Sequence, residues 1–535
     1  MRRIVSNINT QSDEFKANQA DMLRLLSEFR QFQHDARYTR PERDMQRLNK
    51  QKKLFVRDRL ELLLDPGTPF LEFSSLAAHY AYEGTVPGAA TVTGIGLVSG
   101  REVVVIAGDA SVKGGAWYPL TVKKMVRALD IAIENRLPVL HICDSAGGFL
   151  PLQSGVFPDR FAAGRIFRNQ VQLSKMNIPQ IAIVCGHCTA GGAYVPALSD
   201  YNIIVRGTGA IFLGGPPLVK AATGEVVTVD ALGGCDMHTT TSGTADYPAD
   251  NEPQAFAIAR DIAAQFRKPK KQVIEMAPVE APYYDPEELY GIIPVDRKTQ
   301  YDVREVIARI VDGSRFHEYQ PAYGKTLVCG YAHIWGYKVG ILGNNGVLFN
   351  DSAKKAAHFI QLCNQNKTPL VFLQNITGYM VGRTYEEEGI TKDGAKMLMA
   401  QGGSVVPKFT VIIGGSFGAG NYGMCGRAWD ARVLFMWPKA EIGVMGADQA
   451  ANTLVDIKTR QMQKEGITLS EDDIEAIRGP ILDSYERDLS AYYSTSELWD
   501  DGILDPADTR NALGMSIACS LNAQIDDQSY GVFRF

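Results

Sequence analysis

Two stretches of the chain follow one plan, and this duplication limits the fold more than any other feature. Lys123-Lys124, Asn135 and Pro138 recur as Lys354-Lys355, Asn366 and Pro369 at one constant offset. Each proline leads into an apolar run, Val139-Leu-His-Ile-Cys143 or Leu370-Val-Phe-Leu-Gln-Asn375, that ends in a small-residue turn, Asp144-Ser-Ala-Gly-Gly148 or Ile376-Thr-Gly378. A second proline, Pro179 or Pro407, precedes a second apolar run and a glycine-rich turn. These turns are Cys188-Thr-Ala-Gly-Gly-Ala-Tyr-Val-Pro-Ala197 and Gly414-Gly-Ser-Phe-Gly-Ala-Gly-Asn-Tyr-Gly-Met424. A strand delivered through glycines into a helix start brings free amides close to a ligand, which suits an anionic oxygen. The spacing therefore predicts two related α/β domains, each with two strand-end loops whose amides converge.

Length agrees, since 535 residues exceed one hydrophobic core. We place the domains at 1–295 and 296–535. A net charge of −5 without a Lys/Arg block excludes a nucleic-acid surface, while local basic pairs stay available to a phosphorylated ligand. Nowhere do eighteen apolar residues run together, and the N-terminus lacks the apolar core of a secretory signal. The expectation is a cytoplasmic protein of bacterial type, or a mitochondrial matrix protein in a eukaryote, with no membrane contact. The cysteines, Cys143, Cys185, Cys188, Cys235, Cys329, Cys363, Cys425 and Cys519, sit in apolar segments and read as buried free thiols. Cys185-Gly-His-Cys188 has metal or redox spacing, but no second pair completes a zinc set, so no bound metal is expected.

Taken in order, residues 12–36 carry a helical apolar stripe expected to dock on the main body or on a neighbouring subunit. Residues 50–64 read as one basic amphipathic helix with a solvated face, closed by Asp65-Pro-Gly67, and 91–106 as a hairpin. The loop Asp109-Ala-Ser-Val-Lys-Gly-Gly115 then opens a helix through Lys123, Lys124 and Arg127, where the two lysines are candidates for phosphate contacts. Residues 252–320 form the connection: an acidic-then-basic helix, a Pro-rich spacer and a helix over 301–311. Strands follow at 326–329 and 338–342, and a helix pair at 469–477 and 484–489 closes the second domain.

Several of these motifs carry a resemblance. The stretches 144–153 and 157–160, Cys188-Thr-Ala-Gly-Gly-Ala-Tyr-Val-Pro-Ala197, Phe212-Leu-Gly-Gly-Pro-Pro-Leu-Val-Lys220, Gln374-Asn-Ile-Thr-Gly-Tyr-Met-Val-Gly382, 414–427 and Met436-Trp-Pro438 resemble carboxyltransferase β subunits of biotin-dependent acyl-CoA carboxylases. They are most similar to the methylcrotonyl-CoA and geranyl-CoA carboxylase branch. The resemblance covers nearly the whole chain. It implies two tandem crotonase-like (ClpP/crotonase) domains, the first binding the acyl-CoA and the second, from a neighbouring subunit, binding biotin. It also implies a homo-oligomer with its sites at a dimer interface and an α6β6 assembly with a biotin carboxylase/biotin carrier α subunit. No Ala-Met-Lys-Met biotin-attachment motif and no ATP-grasp domain occur, so the biotin would ride on that partner.

The same resemblance assigns the loops. Gly191 and Gly192 would hold the thioester enolate, and Gly420 and Asn421 the ureido oxygen of biotin. Gly114, Gly115, Ser145, Ala146, Gly147, Gly148, Phe149, Ala163 and Ala190 would line the acyl-CoA side; Thr377, Gly378, Phe417, Gly418 and Ala419 would line the biotin side. The deprotonated biotin nitrogen can take the substrate proton, so no protein general base is required. His141 and His358 read as packed or hydrogen-bonded histidines, and Ser145 lacks the Gly-x-Ser-x-Gly elbow of a nucleophile.

Relatives of the methylcrotonyl type carry a Phe just before Gly164-Arg165, where this chain has Ala163. A wider acyl pocket follows, favouring the γ-carboxylation of geranyl-CoA over methylcrotonyl-CoA. Burying one further isoprene unit is worth on the order of 4 kcal/mol, unless Phe161 swings in. Two other classes compete: a crotonase-superfamily acyl-CoA decarboxylase or hydrolase, which needs no biotin site, and a non-catalytic scaffold, which would show degenerate glycines in one repeat.

Overall fold

The computed structural model describes residues 1–267, 272–274, 276–296, 299–465 and 469–535. Each half builds an eight-stranded sheet of the same design. In the first, an antiparallel hairpin, Thr91–Val98 and Arg101–Gly108, leads into the parallel strands Val139–Ser145, Gln180–Thr189 and Tyr201–Val205. In the second, Leu327–Ile334 and Tyr337–Asn344 lead into Leu370–Ile376, Lys408–Phe417 and Val433–Met436. The central strands are apolar on both faces because helices cover both, as parallel sheets require. Mixed α/β architecture with two related sheets is thus what the repeat predicted.

One feature of the repeat is a buried lysine. Lys124 lies in the helix Pro119–Asn135, only 2% exposed, and its Nζ donates to the carbonyls of Gly88 and Thr91 at 3.0 and 2.8 Å. Lys355, 1% exposed in the helix Asn350–Gln365, donates to the carbonyls of Tyr323 and Leu327 at 3.0 and 2.8 Å. In each repeat a crossover helix therefore pins the entry to the hairpin through otherwise unsatisfied carbonyls. Burial pushes the Lys124 amine down to about 7. The neighbouring Lys123 donates to the Glu497 carbonyl. Buried Lys124 is therefore not left for phosphate, which corrects the sequence expectation for that residue.

The N-terminal stripe docks on the body of its own chain. Ser12 caps the helix Asp13–Tyr38, and Phe15, Met22, Leu26 and Phe29 are buried along it. Gly291 makes room for Phe15: a Cβ there would sit 2.4 Å from its ring. Asn18 Nδ2 donates to the Gly291 carbonyl and Asn18 Oδ1 accepts from the Val295 amide. The chain's first strand, Arg2–Arg3, pairs with Arg315 and Phe316 of the second sheet. Between the halves, Arg127 and Arg427 both reach Asp501, which is fully buried. Burial alone would raise the Asp501 carboxyl, but the two guanidiniums hold it far below the usual range.

Other expectations are corrected. Residues 50–64 are not one helix: Glu42–Lys50 ends, Lys52 turns left-handed, and a new helix runs Val56–Leu63. The pair expected at 469–477 and 484–489 is a single helix, Glu471–Leu489, which carries Pro480 within it and packs against Ala447–Lys464. The helix of the connection is Glu252–Ala264; the basic run expected after it, at 268–271, lies outside the described residues. No helix among the described residues is long and apolar enough to cross a membrane.

Lys124→Met and Lys355→Met are each expected to cost about 3 kcal/mol, since each strands two buried carbonyls, whereas the exposed Lys123→Met should stay within about 0.5 kcal/mol. Denaturant midpoints of the three variants check this; equal midpoints would refute the role of the buried lysine.

Candidate functional site

The glycine-rich turns begin where two parallel strands lose register. Val139–Ser145 and Gln180–Thr189 pair regularly to Cys143↔Val184, then shift so that Ser145 faces Cys188; Leu370–Ile376 and Lys408–Phe417 shift likewise between Gln374 and Ile376. Beyond the shift, the residue that opens each helical turn is left-handed: Ala190 at φ 52° and Gly418 at φ 54°. The backbone then folds into the short helical turns Ala190–Ala193 and Gly418–Gly423. Their opening amides leave the strand direction with no preceding helical carbonyl to bind.

The second strand-end loop closes on each turn. In the first repeat Gly147 is left-handed (φ 91°), and a Cβ on it would lie 3.3 Å from the Thr189 carbonyl. In the second, Gly378 has φ 134°, and a Cβ on Gly420 would lie 3.1 Å from its Cα. The bridges Trp117↔Gly148 and Leu348↔Tyr379 fix these loops at corresponding places. Ser145 ties the loops together, its Oγ donating to the Gly115 carbonyl (2.7 Å) and accepting from the Gly147 amide (3.1 Å). The Ala146 amide reaches the Gly114 carbonyl, and Phe149 stacks on Tyr118 at 4.3 Å. Gly114 and Gly115 are both left-handed, and a Cβ on Gly115 would strike the Asp144 carbonyl at 2.2 Å.

The glycines of the two turns serve different ends. A Cβ on Gly191 or Gly192 would meet nothing nearer than Phe167 Cζ at 3.7 Å or Trp117 Cζ2 at 4.0 Å, so packing does not demand glycine there. A Cβ on Gly420 would come within 2.7 Å of Ile376 Cγ1, so packing does. The Asn421 side chain is also committed: Nδ2 donates to Ser416 Oγ (2.7 Å), which donates to Gln374 Oε1, while Gln374 Nε2 holds the Met424 carbonyl. Only its backbone is left to face a ligand. Ala419 and Thr377 are exposed and Phe417 is buried; Thr377 and Phe417 line a cleft of about 640 Å³ with Asn375, Tyr301 and Lys439. Beneath the first turn lies a cavity of about 30 Å³ between Trp117, His141, Ser145, Cys188 and Gly192. Burial pushes His141 down to about 4, so it is neutral at ordinary pH, as expected of a packed histidine. Ala163 opens the helix Ala163–Lys175 and is packed into the core, while Phe161 is 59% exposed, with the Arg160 and Arg165 guanidiniums 5.5 and 5.8 Å from its ring.

Sequence reasoning missed a buried charge cluster behind the first turn. Asp144 accepts from Lys53 Nζ (2.8 Å) and Arg59 (3.1 Å), and Arg59 also grips Glu252. Arg59 is 1% exposed on the same face as Val56, Leu60 and Leu63; a charge on the apolar stripe was the available signal. The cluster accounts for Gly186, where a Cβ would coincide with the Asp144 carboxylate. Gly414 repeats the relation against Asn375, a neutral residue. The Cys185-Gly-His-Cys188 spacing is therefore structural. Burial raises the Cys185 thiol well above its usual value, contact with Cys143 and burial do the same for Cys188, and no metal-ligating group of three occurs among the described residues.

The chain matches the model of the carboxyl transferase domain family over residues 47–530. It is 51% identical over 99% of its length to the probable methylcrotonoyl-CoA carboxylase beta chain, mitochondrial, of Drosophila melanogaster, covering 94% of that protein. It is 53% identical over 92% of its length to the biotin-dependent 3-methylcrotonyl-coenzyme A carboxylase beta1 subunit of Mycobacterium tuberculosis, covering 93% of it. The crystal structure of the P. aeruginosa geranyl-CoA carboxylase beta subunit superposes with a TM-score of 0.89 at 38% identity, with full coverage of both chains.

Ala190→Gly is expected to hold or raise the melting temperature, by up to about 1 kcal/mol, since a left-handed alanine is strained. Gly147→Ala should lower it, because the new Cβ meets both a positive φ and the Thr189 carbonyl. Calorimetric scans of the two variants check the pair; a destabilised Ala190→Gly would refute the strained turn.

Proposed function

The chain belongs to the carboxyl transferase domain family, and on that premise we propose that it is the carboxyltransferase β subunit of a biotin-dependent acyl-CoA carboxylase acting on 3-methyl-branched 2-enoyl-CoA thioesters. The observation that carries the proposal is the pair of equivalent turns, each presenting amides behind a left-handed residue and each closed by a second loop. Transfer of a carboxyl group to a carbon conjugated with a thioester places charge on the thioester oxygen, and a preorganised donor at such an oxygen is typically worth about 2.7 to 4 kcal/mol.

In the first repeat, the Gly191 and Gly192 amides hold this oxygen. Ser145 fixes the Gly115 and Gly147 loops around it, and the open space at Gly192 is where the substrate lies. In the second repeat, the Gly420 and Asn421 amides hold the ureido oxygen of biotin. The Asn421–Ser416–Gln374 chain keeps that turn from shifting, and Thr377, Gly378, Phe417, Gly418 and Ala419 frame the approach. Biotin, carried by a partner subunit, supplies the carboxyl group and a nitrogen basic enough to take the substrate proton. The chain's own part is to orient and to stabilise charge. Pairing the first repeat of one copy with the second repeat of another completes the site, in an α6β6 assembly.

The acyl group is the longer one, geranyl rather than methylcrotonyl. Identity over the whole chain favours relatives named for methylcrotonyl-CoA, but identity reports ancestry, whereas tail length is sensed by few side chains. The small side chain at Ala163, where methylcrotonyl-type relatives carry a ring, supports the longer tail, and Phe161, 59% exposed, does not pack in its place.

The chain without its partner should transfer carboxyl from added carboxybiotin and fix no bicarbonate with ATP; ATP-driven carboxylation by the chain alone would overturn the assignment. Gly192→Ala should lower kcat by about 10²–10³ at unchanged melting temperature, because its Cβ meets ligand and not protein. Ala163→Phe should shift the ratio of kcat/KM values toward methylcrotonyl-CoA. A wild type that already prefers methylcrotonyl-CoA, with no shift in the variant, would exclude the geranyl reading.

A further inference from the structure

His141 stands out in the sequence and has no part in the reaction described above. It lies in the strand Val139–Ser145, paired with Ile106 and Ala182 of the neighbouring strands, and is 1% exposed. Burial keeps the ring neutral, so one nitrogen carries a hydrogen and the other accepts. Among the described residues neither nitrogen has a hydrogen-bond partner. Gln180 stands beside the ring and opposes the effect of burial on its basicity, yet no bond of proper geometry joins the two. A buried donor and acceptor in this state bear their full desolvation cost, and such groups are normally served by protein or by an ordered water.

His141 lines the cavity of about 30 Å³ beneath the first turn, together with Thr91, Trp117, Thr121 and Gly192. One water needs roughly 10–15 Å³ of such space and about two to four polar partners. The cavity supplies both. Thr121 Oγ1 accepts from the Tyr118 amide at 3.1 Å and keeps its hydroxyl hydrogen to donate, while Thr91 Oγ1 donates to the Ala107 carbonyl at 3.1 Å and keeps its lone pairs. Both threonines are buried.

The second repeat shows the same scaffold without these groups. At the offset that relates Lys124 to Lys355, His141 becomes Phe372 and Thr121 becomes Ser352. Phe372 is fully buried opposite Leu342, as His141 is opposite Ile106. Ser352 is already hydrogen-bonded to Thr326 Oγ1 at 2.8 Å. Thr91, whose carbonyl receives Lys124, gives way to Leu327, whose carbonyl receives Lys355. Polar groups calling for an outside partner at these positions are thus confined to the first repeat.

We infer that the cavity is a binding site for one ordered water, held by His141, Thr121 and Thr91, and that His141 is thereby a positioning residue for the first turn. The water joins the strand Val139–Ser145 to the start of the helix Pro119–Asn135. Just before that start, the Trp117 amide donates to the Gly147 carbonyl at 2.8 Å and its carbonyl accepts from the Phe149 amide at 2.9 Å. The indole of Trp117 also faces Gly192, where a Cβ would lie 4.0 Å from Cζ2. Holding Trp117 therefore holds both the second loop and the wall opposite the turn. The positioning role rests on the proposed function; the water site does not.

The test compares crystal structures of the whole chain, wild type and His141→Phe, and measures melting temperatures and carboxyl transfer from added carboxybiotin. Phe suits the scaffold, since the second repeat carries it at this place. Wild type is expected to show an ordered water within hydrogen-bond distance of a His141 ring nitrogen and of Thr121 Oγ1, and His141→Phe to lack it. His141→Phe should lower kcat about tenfold, with KM for the acyl-CoA and the melting temperature unchanged. His141→Gln, whose amide both donates and accepts, should recover most of the rate. A wild-type structure without the water would overturn the site. Wild-type kcat in His141→Phe, an equal loss in His141→Gln, or a loss that follows a fall in melting temperature would overturn the positioning role. If wild type holds the water but transfers no carboxyl group, the proposed function and the positioning role fail together and the water site stands.

Discussion

A single left-handed residue decides where each site can be. A parallel strand runs straight into the crossover helix unless the backbone reverses its turn, and Ala190 and Gly418 make that reversal at the first residue of each helical turn. The reversal aims the first amides outward over the strand ends, and the register shift before it opens the gap that they face. The surroundings of the turns hold this geometry: Gly147 and Gly420 let the neighbouring loop and turn approach each other, and Ser145 or the Gln374–Ser416–Asn421 chain locks them. Preorganised donors stabilise developing charge because they need not move during the reaction.

The repeats share this scaffold and differ in how they treat charge. Behind the first turn stands a buried carboxylate, Asp144, compensated by Lys53 and Arg59; behind the second stands Asn375, whose Oδ1 accepts from the Gly415 amide. A buried carboxylate costs several kcal/mol unless it is paired, so Asp144 obliges the chain to bring cations from the segment 53–59 across to the first sheet. That requirement accounts for the contacts of Lys53 and Arg59 with the end of the strand Val139–Ser145. The equivalent strand end in the second repeat, without the carboxylate, needs no wrap and leaves an open cleft beside Thr377 and Phe417.

The halves are joined by more than the connecting chain. The helix Asp13–Tyr38 lays its apolar stripe on the connection near Gly291 and ends beside the first sheet, while Asp21 reaches Lys439 and Arg30 reaches Asp505 in the second half. Arg127 on the helix Pro119–Asn135 and Arg427 just beyond the second turn share Asp501. Asp501 and its two arginines thus connect the supports of both turns through one buried carboxylate.

The sequence by itself determined the duplication, the strand–turn–helix order of each repeat, the hairpin and the family to which its motifs belong. All of these are local: periodicity, prolines and glycines act on the residues next to them. It also marked both glycine-rich turns, because such turns demand small residues wherever they occur. Only the tertiary structure decided why each glycine is there. Gly192 faces open space, Gly420 faces Ile376 and Gly186 faces the Asp144 carboxylate, and these neighbours come from distant segments. Likewise a lysine pair on a helix reads the same whether it meets a phosphate or a carbonyl. Lys124 became a structural pin because the hairpin entry at Gly88 and Thr91 folds onto it, a contact between residues that no local pattern connects.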